Sequence, residues 1–171
     1  MARRLAVLAL ASVWLVAAAA CGKYPDLKNH LKVVNAITGY FDDGPTGPNH
    51  ETRLLPSITF QLKNDTDEPL SYVDLAIDFW QNGDDGPKDS PIVPGIGSRA
   101  LEPGQTGDSI TIRASIGYYS LAARADFFTN PLYKGFIVKL YAKFRGRTSP
   151  LGELKVEPRL LPPAGRDGNR P

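Results

Sequence analysis

The chain is poor in the residues that most often carry chemistry. It has one cysteine and two histidines in 171 residues. A lone thiol excludes an intrachain disulfide and any zinc cluster built on cysteines. His30 and His50 stand far apart in segments that read as connections, and a hydrolytic triad needs a histidine held between a nucleophile and a carboxylate. No Gly-x-Ser-x-Gly elbow and no His-Glu-x-x-His helix is present. The string Gly95-Ile96-Gly97-Ser98-Arg99-Ala100 matches a dinucleotide fingerprint only as letters. That fingerprint needs a buried strand before it and a helix after it. Here Pro91 and Pro94 precede it and Pro103 follows, so it reads as a turn and no cofactor is expected. The loops around Asp42 and Asp43, and around Asp65, Asp67 and Glu68, offer carboxylates for a calcium ion. Turn carboxylates facing solvent are the simpler reading, and no metal site is expected. No basic stripe runs along the chain, which speaks against a nucleic-acid partner. Lys139, Lys143, Arg145 and Arg147 form one local basic set that reads as a solvated strand face.

Long helical periods and internal repeats are also lacking. In their place are fifteen prolines and sixteen glycines, with short alternating apolar segments between them. That pattern predicts antiparallel strands in a sandwich or barrel. Ile58, Phe60 and Leu62 share one face of a strand over 57–63. Val73, Leu75, Ile77 and Phe79 do so over 72–80, with Asp74 and Asp78 on the opposite face. Phe136, Val138, Leu140, Ala142 and Phe144 do so over 136–144, the clearest strand in the chain. Weaker strands are expected at 31–37, 109–113 and 151–157. Residues 39–49 and 81–97 read as loops, and Leu121–Ala125 favours a short helix ended before Pro131. The fold class is therefore all-β, an immunoglobulin-like antiparallel sandwich of about seven strands with one short helix in the 115–134 connection.

The N-terminus has a basic start at Arg3 and Arg4, an apolar run from Leu5 to Val16, and the sequence Ala17-Ala18-Ala19-Ala20-Cys21-Gly22. That is the layout of a secretory signal with small residues at its cleavage point. With a cysteine directly after that point, the segment resembles a bacterial lipoprotein signal. The resemblance implies cleavage before Cys21, lipid on Cys21, and a mature protein tethered to a membrane outside the cytoplasm. Gly22 is not the Asp associated with inner-membrane retention, which favours the outer membrane facing the periplasm. A cleaved signal with a chance thiol and an uncleaved anchor are the alternatives. A free thiol in an oxidising compartment is a liability that lipidation removes. The chain then divides into a signal at 1–20, a lipidated tether at 21–30, a sandwich domain at 31–160 and a disordered tail at 161–171. Loss of Arg3 and Arg4 balances the basic residues against eighteen acidic ones.

A second resemblance rests on residues inside the domain. The strand ending in Asn64, the turn at 65–69, the pair Phe79-Trp80 and the turn Leu101-Glu102-Pro103-Gly104 are similar to FxLYD-type extracytoplasmic domains. It implies an envelope or binding module without catalysis. The remaining feature is an aromatic set, Tyr118, Tyr119, Phe127, Phe128 and Tyr133. These side chains either plug the open edge of the sandwich or anchor a partner. The expected function is a non-catalytic lipoprotein that presents a sandwich to an envelope protein, through that set or through a sheet edge. An accessory lipoprotein holding a ligand for a transporter is the first alternative. A cell-wall hydrolase is the second, because carboxylate pairs from distant strands leave no trace in sequence.

Overall fold

A computed structural model of the chain describes residues 24–46, 51–120 and 124–162. The signal-like segment, Cys21, His50 and the tail from 163 lie outside the described residues. One helical turn, α1 (Leu27–His30), leads into β1 (Leu31–Thr46). Then come β2 (Glu51–Asn64), β3 (Val73–Gln81), β4 (Ile92–Ile96), β5 (Ile110–Arg113) and β6 (Tyr118–Ser120). A 3-10 turn at Arg124–Thr129 precedes β7 (Phe136–Phe144) and β8 (Arg147–Lys155). The strands form two antiparallel sheets. One has the order β1-β2-β5, with β6 also paired to β2; the other has the order β4-β3-β7-β8. The chain crosses between sheets after β2, β4 and β6, the Greek-key wiring of an immunoglobulin-like sandwich.

Alternation sets the core. Ile58, Phe60 and Leu62 of one sheet meet Val73, Leu75, Ile77, Phe79, Val138, Leu140 and Ala142 of the other, all fully buried. The outer face of the second sheet pairs Asp74 with Lys143 and Asp78 with Lys139 across β3 and β7. Cross-strand pairs of opposite charge suit such a face, so two members of the basic set are strand partners of carboxylates. Arg145 lies in the two-residue turn between β7 and β8, and Arg147 opens β8.

Three local expectations need correction, and the short helix is placed more closely. Residues 39–46, expected as loop, belong to β1 and pair with β2, which itself starts at Glu51 rather than near Ser57. Register shifts between Val34 and Ile37 and between Asp42 and Pro45 break the period of two, which hides the strand. The expected loop 81–97 contains β4. It is an edge strand, where Pro94 is tolerated. A Cβ at Gly95 would lie 2.6 Å from Cγ of Leu75, so this glycine serves close packing of β4 on β3. The 115–134 connection carries a short helix, 3-10 in form, at Arg124–Thr129; of the expected stretch Leu121–Ala125, residues 121–123 lie outside the described residues. Finally, order begins ahead of Leu31: Leu27 joins the core, and Tyr24 stacks under the Arg147 guanidinium at 4.2 Å.

The sandwich has two ends. At one lie Tyr24, α1, the turn at 65–69, the turn at 101–105 and the β7–β8 hairpin. At the other lie residues 81–89, 115–120 and 124–136. The register of β1 on β2 runs from Leu31↔Asn64 at the first end to Thr46↔Glu51 at the second.

Candidate functional site

The aromatic set closes the second end. Tyr118 of β6, Phe127 and Phe128 of the 3-10 turn, and Tyr133 gather around Tyr40 of β1 and Phe136 of β7. Ring centroids are 5.0 Å apart for Tyr118–Phe127, 5.2 Å for Tyr40–Phe128 and 5.7 Å for Tyr118–Phe136. Most of these pairs are tilted or edge-to-face, the arrangement that ring quadrupoles favour. Tyr40 and Phe127 are buried; Tyr118, Phe128 and Tyr133 are half-buried. The set therefore fills the gap that opens where β6 of one sheet parts from β7 of the other.

Polar atoms inside the plug have partners. The Tyr40 and Tyr133 hydroxyls are 3.0 Å apart. Gln81 Nε2 donates to the Tyr118 hydroxyl at 2.9 Å. Burial, and then the hydrogen bond to Tyr133, push the Tyr40 hydroxyl far above the ordinary tyrosine range. Burial raises Tyr133 as well, partly opposed by its bond to Tyr40. Folding therefore favours the protonated form of the Tyr40 and Tyr133 hydroxyls.

Tyr119 behaves differently from its neighbours. Strand alternation turns it outward, where it is 57% exposed. The Arg53 guanidinium lies 5.8 Å from the centre of its ring. Arg53 also donates to Asp43 at 3.2 Å and to the Ser115 carbonyl oxygen, which fixes the loop ahead of β6. Ile116 is half exposed nearby, and Leu132, at 82% exposed, projects from the loop that carries Tyr133. Of the five aromatic residues singled out by sequence, four build the plug and Tyr119 stands on the surface. Sequence reasoning missed Tyr40, the centre of the plug, because it fell in the supposed loop. The Gly39-Tyr40-Phe41 triplet was the available signal, masked by the bulges on both sides.

The other candidates find structural work. Asp42 accepts from the Gly44 N–H at 2.8 Å, Asp43 pairs with Arg53, and Asp65 pairs with Lys63 at 2.7 Å. Among the described residues no group of three or more His, Cys, Asp or Glu side chains could hold a metal ion. The string at 95–100 is followed by a bend and an isolated bridge at Leu101 rather than by a helix. Asn64 is the polar centre of the first end. It is fully buried. Its Nδ2 donates to the carbonyls of Glu68 (2.9 Å) and Leu101 (2.8 Å), and its Oδ1 accepts from the N–H and hydroxyl of Thr66. Its backbone pairs with Gly104 and Gln105. One asparagine thus ties the 65–69 turn to the Leu-x-Pro-Gly turn, which is why a strand-end Asn and that turn occur together here.

Three of the four sheet edges are poorly suited to pairing, the β5–β6 edge being the exception. Pro94 lies in β4, Pro150 and Gly152 interrupt β8, and the backbone of Arg159 and Leu161 occupies Tyr40 on β1. No protein-family model, curated protein or solved structure matches the chain.

Proposed function

We propose that this protein is a non-catalytic envelope lipoprotein, held to a membrane by lipid on Cys21, that presents its sandwich for protein binding or complex assembly. The observation that carries the reading is the placement of the two ends. The described chain starts at Tyr24, three residues after Cys21, at the first end. Ile116, Tyr119 and Leu132 are exposed at the opposite end, about 30 Å away by the nine residues of β7 at strand rise. An anchor and a contact surface at opposite ends suit a module that offers one end to a partner. Aromatic and apolar side chains exposed beside a rigid plug are the usual anchors of such contacts. With both edges of the second sheet broken by proline, the 115–134 region is the contact we favour over strand addition. The FxLYD-like turns are consistent with a binding role and imply no chemistry.

Two features favour this reading over its rivals. A ligand carrier would need space among Phe60, Phe79 and Leu140, and these side chains are fully buried core. A hydrolase would need converging carboxyls of perturbed acidity. Among the described residues the two carboxyls held below the ordinary range are Asp26, by the Asn29 amide, and Asp84, by Lys88. They sit on surface turns at opposite ends of the molecule. The test of the anchor is the mass of the mature protein isolated from membranes. Acylated Cys21 with residues 1–20 removed is expected, and Cys21→Ala should leave the protein unprocessed or release the domain. An intact signal segment or a free Cys21 thiol would sink the proposal.

A further inference from the structure

The first end carries two side chains disfavoured at their own positions, Arg145 and Tyr72, beside a stacked pair, Arg147 on Tyr24. Arg145 and Gly146 form the two-residue turn of the β7–β8 hairpin, both with positive φ (47° and 76°). Such turns prefer Asn-Gly, and a long side chain at the first position is disfavoured. Tyr72, just ahead of β3, also has a positive φ of 54°, costly for a bulky residue. It is 71% exposed, so no packing within the chain explains a tyrosine there. The ladder pairs Asp74 with Lys143, and two residues further on each strand stand Tyr72 and Arg145. Phe144 pairs with Arg147, whose guanidinium covers the ring of half-exposed Tyr24. By register, Tyr72 and Arg145 fall opposite each other beyond the last ladder pair, and with Arg147 and Tyr24 they make a row at the end of the second sheet; the Arg145 guanidinium lies 4.8 Å over the Phe144 ring. On the other flank of Tyr24 a groove of about 620 Å³ is lined by Asp26, His30 and Asp65–Glu68.

Chain length says what this row faces. From Cys21 to Tyr24 the backbone reaches at most about 11 Å even when fully extended. A lipid on Cys21 would hold the row at the membrane surface. We propose that this end lies against the phospholipid headgroups, with Tyr24 and Tyr72 in the interfacial layer and Arg145 and Arg147 on phosphates. The inference rests on the lipid-anchor reading above. Tyrosine suits that layer because one end of its side chain is apolar and the other wet. Arginine suits phosphate because its planar fork donates two parallel hydrogen bonds. Tyr72 and Arg145, disfavoured at their own positive-φ positions and both on the end nearest the anchor, are explained by a contact outside the chain.

The test uses the full-length lipoprotein reconstituted in vesicles of phosphatidylglycerol and phosphatidylethanolamine, doped with a headgroup-linked quencher. With Cys21 acylated, a single introduced thiol takes the fluorophore. Asp67→Cys marks the tether end and Asp85→Cys the opposite one; both positions are exposed turns. Quenching is expected to be at least threefold stronger at 67 than at 85. Tyr72→Asn with Arg145→Asn suits both positive-φ positions, so the fold should melt no lower, and the excess at 67 should fall by half or more. Equal quenching at 67 and 85 in a protein whose mass shows acyl chains overturns this orientation and leaves the anchor standing. Stronger quenching at 67 that the double variant leaves unchanged overturns the role of these side chains. A free Cys21 thiol overturns the anchor and this inference with it.

Discussion

At the tether end the gap between the sheets is bridged by hydrogen bonds to one buried asparagine; at the opposite end it is filled by six aromatic rings. The two closures have different physical character. Asn64 uses both amide hydrogens and accepts twice, so no other side chain of that size can satisfy the same partners. The rings of Tyr40, Tyr118, Phe127, Phe128, Tyr133 and Phe136 are held by area and shape, which other apolar side chains reproduce in part. A hydrogen-bonded closure fixes loop geometry tightly. A packed closure leaves its periphery free to carry side chains such as Tyr119 and Leu132 for use elsewhere.

That contrast predicts unequal tolerance. Asn64→Ala leaves the carbonyls of Glu68 and Leu101 and the N–H of Thr66 without their partner, and should cost about 4 kcal/mol or more in denaturant melts. Asn64→Asp should be nearly as damaging, because a carboxylate cannot donate to either carbonyl. A loss under about 1 kcal/mol would show that the turns hold themselves. At the other end, Phe127→Ala should cost about 3–5 kcal/mol, but Phe127→Leu only about 1–1.5 kcal/mol. Equal losses for the two Phe127 variants would mean that the plug is as exacting as the asparagine, and the comparison would fail.

A smaller effect separates the ends by pH. In the unfolded chain tyrosines ionise near pH 10. The folded Tyr40 hydroxyl is held well above that value, chiefly by burial, so folding favours the protonated form. Stability from this group is complete below about pH 10 and is lost as pH rises beyond it, at up to about 1.4 kcal/mol per pH unit. Alkaline melts should therefore fall steeply above pH 10, and Tyr40→Phe should make that fall shallower. An unchanged slope would mean that the plug admits water to the hydroxyl.

The sandwich itself was legible because 58–62, 73–79 and 136–144 alternate without interruption, and each strand face recurs in the core as expected. The rest was hidden for identifiable reasons. Two bulges broke the period of β1, so Tyr40 vanished into a supposed loop. Pro94 and Gly95 disguised β4, since an edge strand tolerates both. The aromatic set could be seen in sequence. Its division into four plug residues and one surface residue could not, because that depends on Tyr118 and Tyr119 falling on opposite faces of a three-residue strand. The row Tyr24, Tyr72, Arg145 and Arg147 comes from three separate segments, only the last two residues sharing a hairpin, and has no linear signature. Its members meet only through the register of β3, β7 and β8.

The central claim is that one end of the molecule faces a bilayer and the other a protein. Photo-crosslinking in intact cells tests it most directly, with a reactive residue placed at Asp67 or at Tyr119 in the full-length chain. The account predicts lipid adducts from position 67 and a discrete protein adduct from position 119. Protein adducts from 67 together with lipid adducts from 119 would contradict it.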